Sequence, residues 1–324
     1  MSTRALASVS LDVDNLWSYL KTHGDPGWES RPTYLDRFCP TVLECLDRLG
    51  LRITFFLVGA DAEREENVGP LRSLAAAGHE IGNHSHEHEP WLHLYSREQL
   101  EREIGMAELA IERATSQVPR GFRGPGFSWS PVLLEVLAAR GYRYDASTFP
   151  TYLGPLARAY YFSTTKLSGE ERERRQALFG GFREGLRPLK PYHWQLAKGV
   201  RLLEIPVTTM PVLRTPFHLS YLLFLSRHSE RLMMAYLRSA IALCRVAGIE
   251  PSFLLHPLDL LGGDQVSQLA FFPGMDLPHR RKAELFERVL RELGEHFELC
   301  SMGAHAAAIE ARHNLPARTP VLAA

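Results

Sequence analysis

The alternation of short apolar runs with longer amphipathic stretches is the feature that most constrains the fold of this chain. Residues 7–13 form an apolar run that leads, through a loop rich in turn formers, to an amphipathic stretch ending at Gly50. Residues 53–58 form the next run, and the amphipathic stretch after it ends at Gly78. Such βα units build a largely parallel sheet, and about seven or eight of them predict a single, irregular α/β barrel.

The alternation is interrupted once, over residues 150–198. This segment is rich in aromatic residues, arginine, proline and glycine, and it contains the charged run 170–175. We predict that it is an excursion inserted into one domain of residues 1–310, and that residues 311–324 form a frayed tail.

The composition of the chain indicates which classes of partner it can bind and in which cellular compartment we expect it. The 37 Lys and Arg residues are balanced by 37 Asp and Glu residues, and no basic stripe stands out, so we expect no nucleic-acid partner. The four cysteines lack the spacing of metal ligands, which fits a reducing compartment. The first residues do not read as a secretory signal, and no window approaches the roughly 18 apolar residues of a membrane span. We therefore expect a cytoplasmic protein.

Two carboxylates, Asp12 and Asp14, lie at the C-terminal end of the first apolar run. The carboxyl ends of barrel strands carry the active sites of α/β enzymes. Two carboxylates crowded at one strand end repel each other unless a cation lies beside them, and a metal ion is the usual cation. An Asp-x-Asp pair also resembles haloacid-dehalogenase-like phosphatases, which would need late acidic ligands, for which Asp259 and Asp264 are the candidates.

A dense histidine cluster follows the third predicted strand, with His84, His86 and His88 in five residues. If the chain turns helically there, His84 and His88 share one face and can bind one ion, whereas His86 points elsewhere. One carboxylate, from Asp14 or Asp12, would complete the two-nitrogen, one-oxygen set of hydrolytic metal sites.

Together these motifs resemble the polysaccharide deacetylase family, in the order in which that family has them. The resemblance covers roughly residues 6–260 and is carried by Asp12-x-Asp14, the run 54–59, Gly78 to His88, Arg123-Gly124-Pro125 and the late Leu254-Leu255-His256.

The resemblance implies a distorted (β/α) barrel and a metal-dependent hydrolase that removes an acetyl or formyl group from an amino sugar. It implies one divalent metal, Zn²⁺ first, bound by Asp14, His84 and His88. The implied catalytic residues are Asp12 as general base, Arg123 as its partner, His256 as general acid and Asp145 as the acid that supports His256.

This chain departs from the family pattern at two places. A valine separates the two aspartates, as in a sub-group similar to peptidoglycan-type deacetylases and lipid-linked sugar deformylases. Gly126 replaces the aromatic residue that usually follows the proline, although its backbone N–H can still donate to an oxyanion.

Three other functions stay open at this point. The first is hydrolysis of a small-molecule amide or ureide on the same fold, and the second is the phosphatase described above. The third is a sugar-binding module that has lost catalysis, against which the presence of Asp12, Arg123 and His256 argues.

The aromatic and basic excursion, together with the apolar stretch 216–225, suits a membrane interface. One hypothesis is peripheral docking on the inner face of the membrane, where a lipid-linked sugar would be the substrate. The alternative is that these residues pack onto the barrel or form a homodimer contact.

Overall fold

A largely parallel β-sheet forms the centre of the structure, a computed structural model that describes residues 4–154, 182–312 and 314–321. Every strand pair in it is parallel except one, β6 with β7. The strands are β1 (Leu6–Asp12), β2 (Thr54–Leu57), β3 (Glu80–Asn83), β4 (Gly121–Phe122), β5 (Tyr144–Asp145), β6 (Tyr192–Gln195), β7 (Arg201–Glu204), β8 (Ser252–Leu255), β9 (Glu298–Cys300) and β10 (Ala317–Arg318).

The described α-helices pack mostly on the outside of this sheet, and one of them ends at Gly50, as the sequence predicts. Gly50 and Gly248 take left-handed backbone conformations as the C-caps of two helices. The helices are α1 (Leu16–His23), α2 (Leu35–Leu49), α3 (Gly59–Ala62), α4 (Glu65–Ala76), α5 (Arg97–Thr115), α6 (Pro131–Ala139), α7 (Leu219–Ser226), α8 (Glu230–Ala247), α9 (His279–His296) and α10 (Met302–Glu310).

The sheet curls into an irregular barrel. Its strands follow the order β8, β1, β2, β3, β4, β5 and β7. The seam between β7 and β8 is bridged by Thr208, whose N–H donates to the Ser252 carbonyl at 3.1 Å. The Ser252 N–H in turn donates to the Thr208 hydroxyl at 2.8 Å. The predicted α/β class and distorted barrel are confirmed.

Strand β1 shows how the sequence places polar groups inside the barrel. Ala7, Val9 and Leu11 are buried in the main hydrophobic core, so the intervening Ser8, Ser10 and Asp12 face the other side of the sheet. This alternation puts a carboxylate at the carboxyl end of β1, within the barrel mouth.

Helix α10 closes the opposite end of the barrel. The Met302 N–H donates to the Thr54 hydroxyl at 2.8 Å, and the Gly303 N–H donates to the Glu80 carboxylate at 2.7 Å. These bonds satisfy free N–H groups of the first helical turn and fix the helix against β2 and β3.

Two segments differ from the sequence prediction. The end of the predicted excursion forms β6, which pairs with β7 and stacks Trp194 on Trp129 at 4.9 Å between ring centroids. The predicted frayed tail contributes β10, which pairs with β6. Both strands are short and flanked by polar residues, which hid their period of two. Residues 155–181 of the excursion lie outside the described residues.

The apolar stretch around α7 packs onto the barrel. Phe217, Leu219, Leu222 and Leu223 are buried, whereas Phe224 is 43% exposed. The interpretation of this stretch as core packing is therefore correct for all of these residues but Phe224. No helix in the described parts of the chain has both the length and the apolar character to cross a bilayer.

Candidate active site

The residues predicted to do chemistry converge on the carboxyl ends of neighbouring strands. Leu11 of β1 lies opposite Leu255 of β8, so Asp12 and His256 are the next residues on two paired strands. On the other side, β3 pairs with β4, which brings the segments after Asn83 and Phe122 together. Strand geometry alone thus collects most of the predicted site at one rim.

Asp14, His84 and His88 form a compact group of metal-ligand atoms. His88 Nε2 lies 2.9 Å from Asp14 Oδ1, and His84 Nε2 lies 3.4 Å from the same oxygen. One ligand atom from each residue falls within 4.8 Å of the other two. Two imidazole nitrogens and a carboxylate fit a divalent ion such as Zn²⁺, with further coordination positions left open.

Hydrogen bonds outside this group fix the orientation of its members. His84 Nδ1 lies 2.6 Å from the Arg123 carbonyl, so Nδ1 donates to this carbonyl and Nε2 is the ring nitrogen that faces Asp14. The edge of the Trp17 ring contacts His88, with 6.4 Å between centroids, and Trp17 Nε1 donates to buried Asp61 at 2.9 Å.

The loop that carries the histidines is not helical, which corrects the predicted helical turn. Ser85 and His88 have φ values of 64° and 52°, in the left-handed region. Glu103 accepts hydrogen bonds from the N–H groups of His86 and Glu87 at 2.9 and 2.7 Å. The loop is thus shaped by buried side-chain acceptors that the local sequence does not reveal.

Buried His86 points away from the ligand group, as predicted, with Nε2 3.5 Å from a Glu87 carboxylate oxygen. Gly59 makes room for it, because a Cβ at that position would lie 2.7 Å from His86 Nδ1 and 2.6 Å from the Ala107 backbone. The Gly59 N–H also donates to the Ser85 carbonyl at 2.9 Å.

Asp12 and Arg123 form a buried ion pair beside the ligand group. Arg123 Nη1 donates to Asp12 Oδ1 at 2.7 Å and to the Ser10 hydroxyl at 2.9 Å, and Nε donates to the Ala146 carbonyl at 3.1 Å. The pairing predicted from the sequence is present. Ser10 was missed, because a serine inside a strand carries no signal of its own.

The electrostatics of the metal-ligand group favour the ionised form of the Asp14 side chain. Burial by itself raises the pKa of Asp14, but the charge of His88 and hydrogen bonds from His84 and His88 lower that pKa well below its usual range. Burial lowers the pKa of His84, but the charges of Asp12 and Asp14 outweigh burial and leave this pKa raised.

Asp145 does not contact His256, which corrects the role implied for it. Among the described residues, Asp145 Oδ1 accepts the Ser147 hydroxyl at 2.6 Å, and Ser147 accepts the Gly124 N–H at 2.8 Å. The structure places Asp145 beneath the Arg123-Gly124 turn because β5 pairs with β4, whereas His256 follows β8.

A second carboxylic acid, Glu204, lies behind Asp145 and was also missed. Burial and the charge of Asp145 raise the pKa of Glu204 well above its usual range, which favours its protonated form. Its carboxyl group accepts the Trp194 Nε1–H at 2.9 Å and the Thr148 N–H at 3.0 Å. It ties β5, β6 and β7 together.

The late aspartates do not form the acidic ligand set that a phosphatase would need. Asp259 accepts the His256 N–H at 2.8 Å, and Asp264 accepts the His279 N–H at 2.9 Å. Within the described ranges, neither belongs to a group of metal-ligand atoms, and the histidine group would have no role in that chemistry.

Aromatic rings line the rim between Arg123 and His256. Phe127 stacks on Phe149 with 4.7 Å between centroids, and His218 lies 5.9 Å from Phe149 and 6.2 Å from His256. Gly126 has a φ of 59° and is exposed, so the predicted backbone donor lies at the surface of this rim.

Comparison with known proteins gives a consistent result. Residues 25–144 match the family model of polysaccharide deacetylases. A peptidoglycan deacetylase of Helicobacter pylori is 25% identical over 154 residues, which are 45% of this chain and 50% of that protein. A chitooligosaccharide deacetylase of Sinorhizobium fredii is 34% identical over 105 residues, 32% of this chain and 47% of that protein. The chain thus spans about half the length of these curated relatives.

Among solved structures, a Mycobacterium smegmatis protein assigned to polysaccharide deacetylases shares the fold, with a TM-score of 0.62 at 19% identity. The alignment covers 100% of this chain and 95% of that one. The family match contains His84, His88 and Arg123, whereas Asp12, Asp14 and His256 lie outside it and join them through the fold. The chain is therefore similar to polysaccharide deacetylases, over residues 25–144 in sequence and over its whole length in fold.

Proposed function

We propose that this protein is a metal-dependent amide hydrolase that removes an N-acyl group from an amino sugar. The observation that carries the proposal is the Asp12–Arg123 ion pair at 2.7 Å, placed directly beside the Asp14, His84 and His88 group. Arg123 thus holds the buried carboxylate of Asp12, which is not a member of the metal-ligand group. The two curated relatives described above are named for peptidoglycan and chitooligosaccharide, which supports an amino-sugar substrate.

Asp14, His84 and His88 would hold the metal. A bound divalent ion supplies Lewis acidity that polarises the amide carbonyl and lowers the pKa of water. We propose Zn²⁺ because two imidazoles and one carboxylate are a donor set that this ion favours.

The residues of the chain account for the proton transfers. Asp12 accepts a proton from the attacking water, and Arg123 keeps the Asp12 carboxylate oriented through Nη1. His256, on the paired strand, donates a proton to the departing amine, which is a poor leaving group without it. The N–H of Gly126 is exposed at the rim and can donate to the developing oxyanion.

Mass spectrometry of candidate substrates tests the proposal directly. The Zn²⁺-supplemented protein is incubated with N-acetyl and N-formyl amino sugars and with a ureide of similar size. Loss of about 42 mass units indicates deacetylation and loss of about 28 indicates deformylation. Turnover of the ureide alone would instead support the small-molecule amide or ureide hydrolase.

The Asp12→Asn variant separates catalysis from metal binding. We expect kcat to fall by about 10²–10⁴-fold, because the water loses its proton acceptor, while the metal content stays equal to that of the wild type. Normal turnover by Asp12→Asn would show that Asp12 is not the base.

We further propose that the substrate is a lipid-linked sugar and that the protein encounters it at the inner face of a membrane. Within the stretch expected at the membrane, Phe217 is buried and Phe224 is 43% exposed. Phe224 is therefore the residue of this stretch with which lipid contact can be tested.

A further inference from the structure

A buried carboxylic acid, Asp61, lies next to the metal-ligand group without belonging to it. It is 1% exposed and lies in the single turn of α3. Its Oδ1 accepts the Asn15 Nδ2–H at 2.7 Å and the Trp17 Nε1–H at 2.9 Å. Asn15 directly follows Asp14, and the Trp17 ring contacts His88. One oxygen atom is thus bonded to the neighbours of two predicted metal ligands.

The Asn15 side chain fixes the backbone that carries Asp14. Asn15 Oδ1 accepts the Leu16 N–H at 2.8 Å and the Tyr34 N–H at 3.2 Å, while its Nδ2 donates to Asp61. The Tyr34 hydroxyl donates to the Asp14 carbonyl. The amide of Asn15 is therefore engaged at both its oxygen and its nitrogen, and the chain beside the Asp14 carboxylate is held from two sides.

The Trp17 indole is held by two cations as well as by Asp61. Lys21 Nζ and the guanidinium carbon of Arg31 lie 5.5 and 5.4 Å from the centroid of the Trp17 ring. Lys21 pairs with Glu89 at 2.6 Å, and Arg31 pairs with Glu87 at 2.8 Å. The ligand histidine between these two glutamates in the sequence meets the Trp17 ring edge to face, with 6.4 Å between centroids and 79° between planes.

A closed set of hydrogen bonds fixes Asp61 itself. Asn67 Nδ2 donates to the Asp61 carbonyl at 3.1 Å, and the Thr33 hydroxyl donates to Asn67 Oδ1 at 2.9 Å. Asn15 Nδ2 lies 3.0 Å from the Thr33 hydroxyl oxygen, which closes the set. Asp61 Oδ2 is buried and has no hydrogen-bond partner within the described ranges. The side chain of Asp61 therefore bonds through Oδ1.

The two contacts of Oδ1 do not depend on the charge of Asp61. The amide N–H and the indole N–H can only donate. Oδ1 accepts from them whether the acid is ionised or carries a proton on Oδ2. Burial raises the pKa of Asp61 to about 6, and the same geometry serves both forms.

We propose that Asp61 is a positioning residue that orients Asp14 through Asn15 and His88 through Trp17, and that it thereby sets the affinity and geometry of the metal site. Partners of this kind hold metal ligands in place before the ion binds, and their loss weakens binding although no ligand is removed. The inference rests on the metal-ligand role in the proposed function, but it does not depend on the reaction.

The affinity for Zn²⁺, measured by competition with a chelator, tests the proposal without any substrate. Asp61→Ala removes the acceptor, and the Kd for Zn²⁺ should rise by about 10–100-fold. Asp61→Asn keeps an oxygen for the two N–H donors and should keep the wild-type Kd, although its buried amide nitrogen lacks a partner and should lower stability in urea.

A control at the far end of the barrel separates positioning from stability. Thr54→Val removes a buried hydroxyl that accepts the Met302 N–H at 2.8 Å. This variant should also lose stability in urea, because the Met302 N–H is left without its acceptor, but it should keep the wild-type Kd for Zn²⁺.

Trp17→Phe tests the contact with His88 separately, because it keeps an aromatic ring and removes the indole N–H. It should raise the Kd for Zn²⁺ by itself but raise it no further when combined with Asp61→Ala, in which the same contact is already lost. The visible absorption bands of Co²⁺-loaded protein report ligand geometry. They should shift in Trp17→Phe and Asp61→Ala, but not in Asp61→Asn or Thr54→Val.

The two proposals fail in different ways. A wild-type Kd and Co²⁺ spectrum in folded Asp61→Ala would overturn the positioning role, and if that variant does not fold, the same result in Trp17→Phe would do so. An equal rise of the Kd in Thr54→Val would also overturn it, because the effect would then follow stability alone. Raised Kd values in the Asp61 and Trp17 variants of a chain that binds Zn²⁺ but hydrolyses no N-acyl sugar would support the positioning role and overturn the proposed function. A wild-type chain that binds no Zn²⁺ would overturn both.

Discussion

At the scale of single residues, the site contains side chains that present one nitrogen atom to a partner in the site, while a second nitrogen atom of the same side chain is hydrogen-bonded to a backbone carbonyl. His84 presents Nε2 to Asp14 because its Nδ1 is held by the Arg123 carbonyl at 2.6 Å. Arg123 presents Nη1 to Asp12 while its Nε is held by the Ala146 carbonyl. Such outer contacts orient ligands before a metal or substrate arrives, and they reduce the ordering cost of binding.

The metal prediction belongs to this scale. His84→Ala should lower the metal content of Zn²⁺-loaded protein from about one ion per chain to near zero, since one of three donors is removed. His86→Gln is the matched control, because His86 lies in the same loop but outside the ligand group, and it should keep its metal. Elemental analysis after desalting measures both. Equal metal in His84→Ala and the wild type would contradict the site.

At the scale of elements, much of the barrel follows from the sequence because a buried parallel strand needs a continuous apolar run. Strands β1 and β2 lie within about one residue of the predicted apolar runs 7–13 and 53–58. Strand β6 was not predicted because its run is short and carries polar residues, and β10 was not predicted because it is short and pairs with β6, which lies far away in the chain. The histidine spacing predicted which residues meet, but the loop conformation depends on Glu103 and Gly59, which are distant in sequence.

The close packing of β3 on β2 predicts the effect of one glycine. In Gly82→Ala the new Cβ would lie 2.5 Å from the buried Phe56 ring, so the strand or the ring must move. We expect a loss of about 1–3 kcal/mol in the free energy of unfolding. The control Gly294→Ala, in α9, meets only Leu299 at 3.6 Å and should be neutral or stabilising by about 0.5–1 kcal/mol. Urea unfolding compares the two, and equal stability of both variants would refute the packing argument.

Glu250 joins the start of β1 to α10 and gives a pH dependence. Burial raises its pKa, but hydrogen bonds from His305, Arg312 and the Leu6 N–H outweigh burial and lower it to about 2. A folded-state pKa below the unfolded value near 4.5 means that this stabilisation is complete above that value and is lost as the pH falls towards 2.

Glu250→Gln should therefore lower Tm at pH 7, and the difference from the wild type should shrink steadily as the pH falls from about 4.5. Thermal unfolding followed by circular dichroism at a series of pH values measures this difference. A gap between wild type and variant that stays constant down to acid pH would rule out an ionised Glu250 as its source.

At the scale of the whole molecule, the exposed apolar side chains decide whether the protein can meet a lipid-linked substrate at a membrane. If it does, wild-type protein should sediment with anionic vesicles, and Phe224→Glu should weaken that association by about fivefold, since a partly exposed ring is lost from the lipid contact. Val246→Glu on α8 is the control, because Val246 is 88% exposed on a different helix. Wild-type protein that remains entirely in the supernatant would remove membrane docking and leave the hydrolase proposal intact.

Arg123 contacts His84 of the metal-ligand group through its backbone and Asp12 through its side chain. Its carbonyl, which every amino acid has, orients His84, whereas its guanidinium, which only arginine has, holds Asp12. A substitution of Arg123 would thus leave the backbone contact with His84 in place, but it would remove the side-chain partner of Asp12. If the proposed function is correct, a single substitution at Arg123 would therefore remove turnover while the three metal-ligand residues stay in place, so that catalysis could be lost without any rearrangement of the barrel.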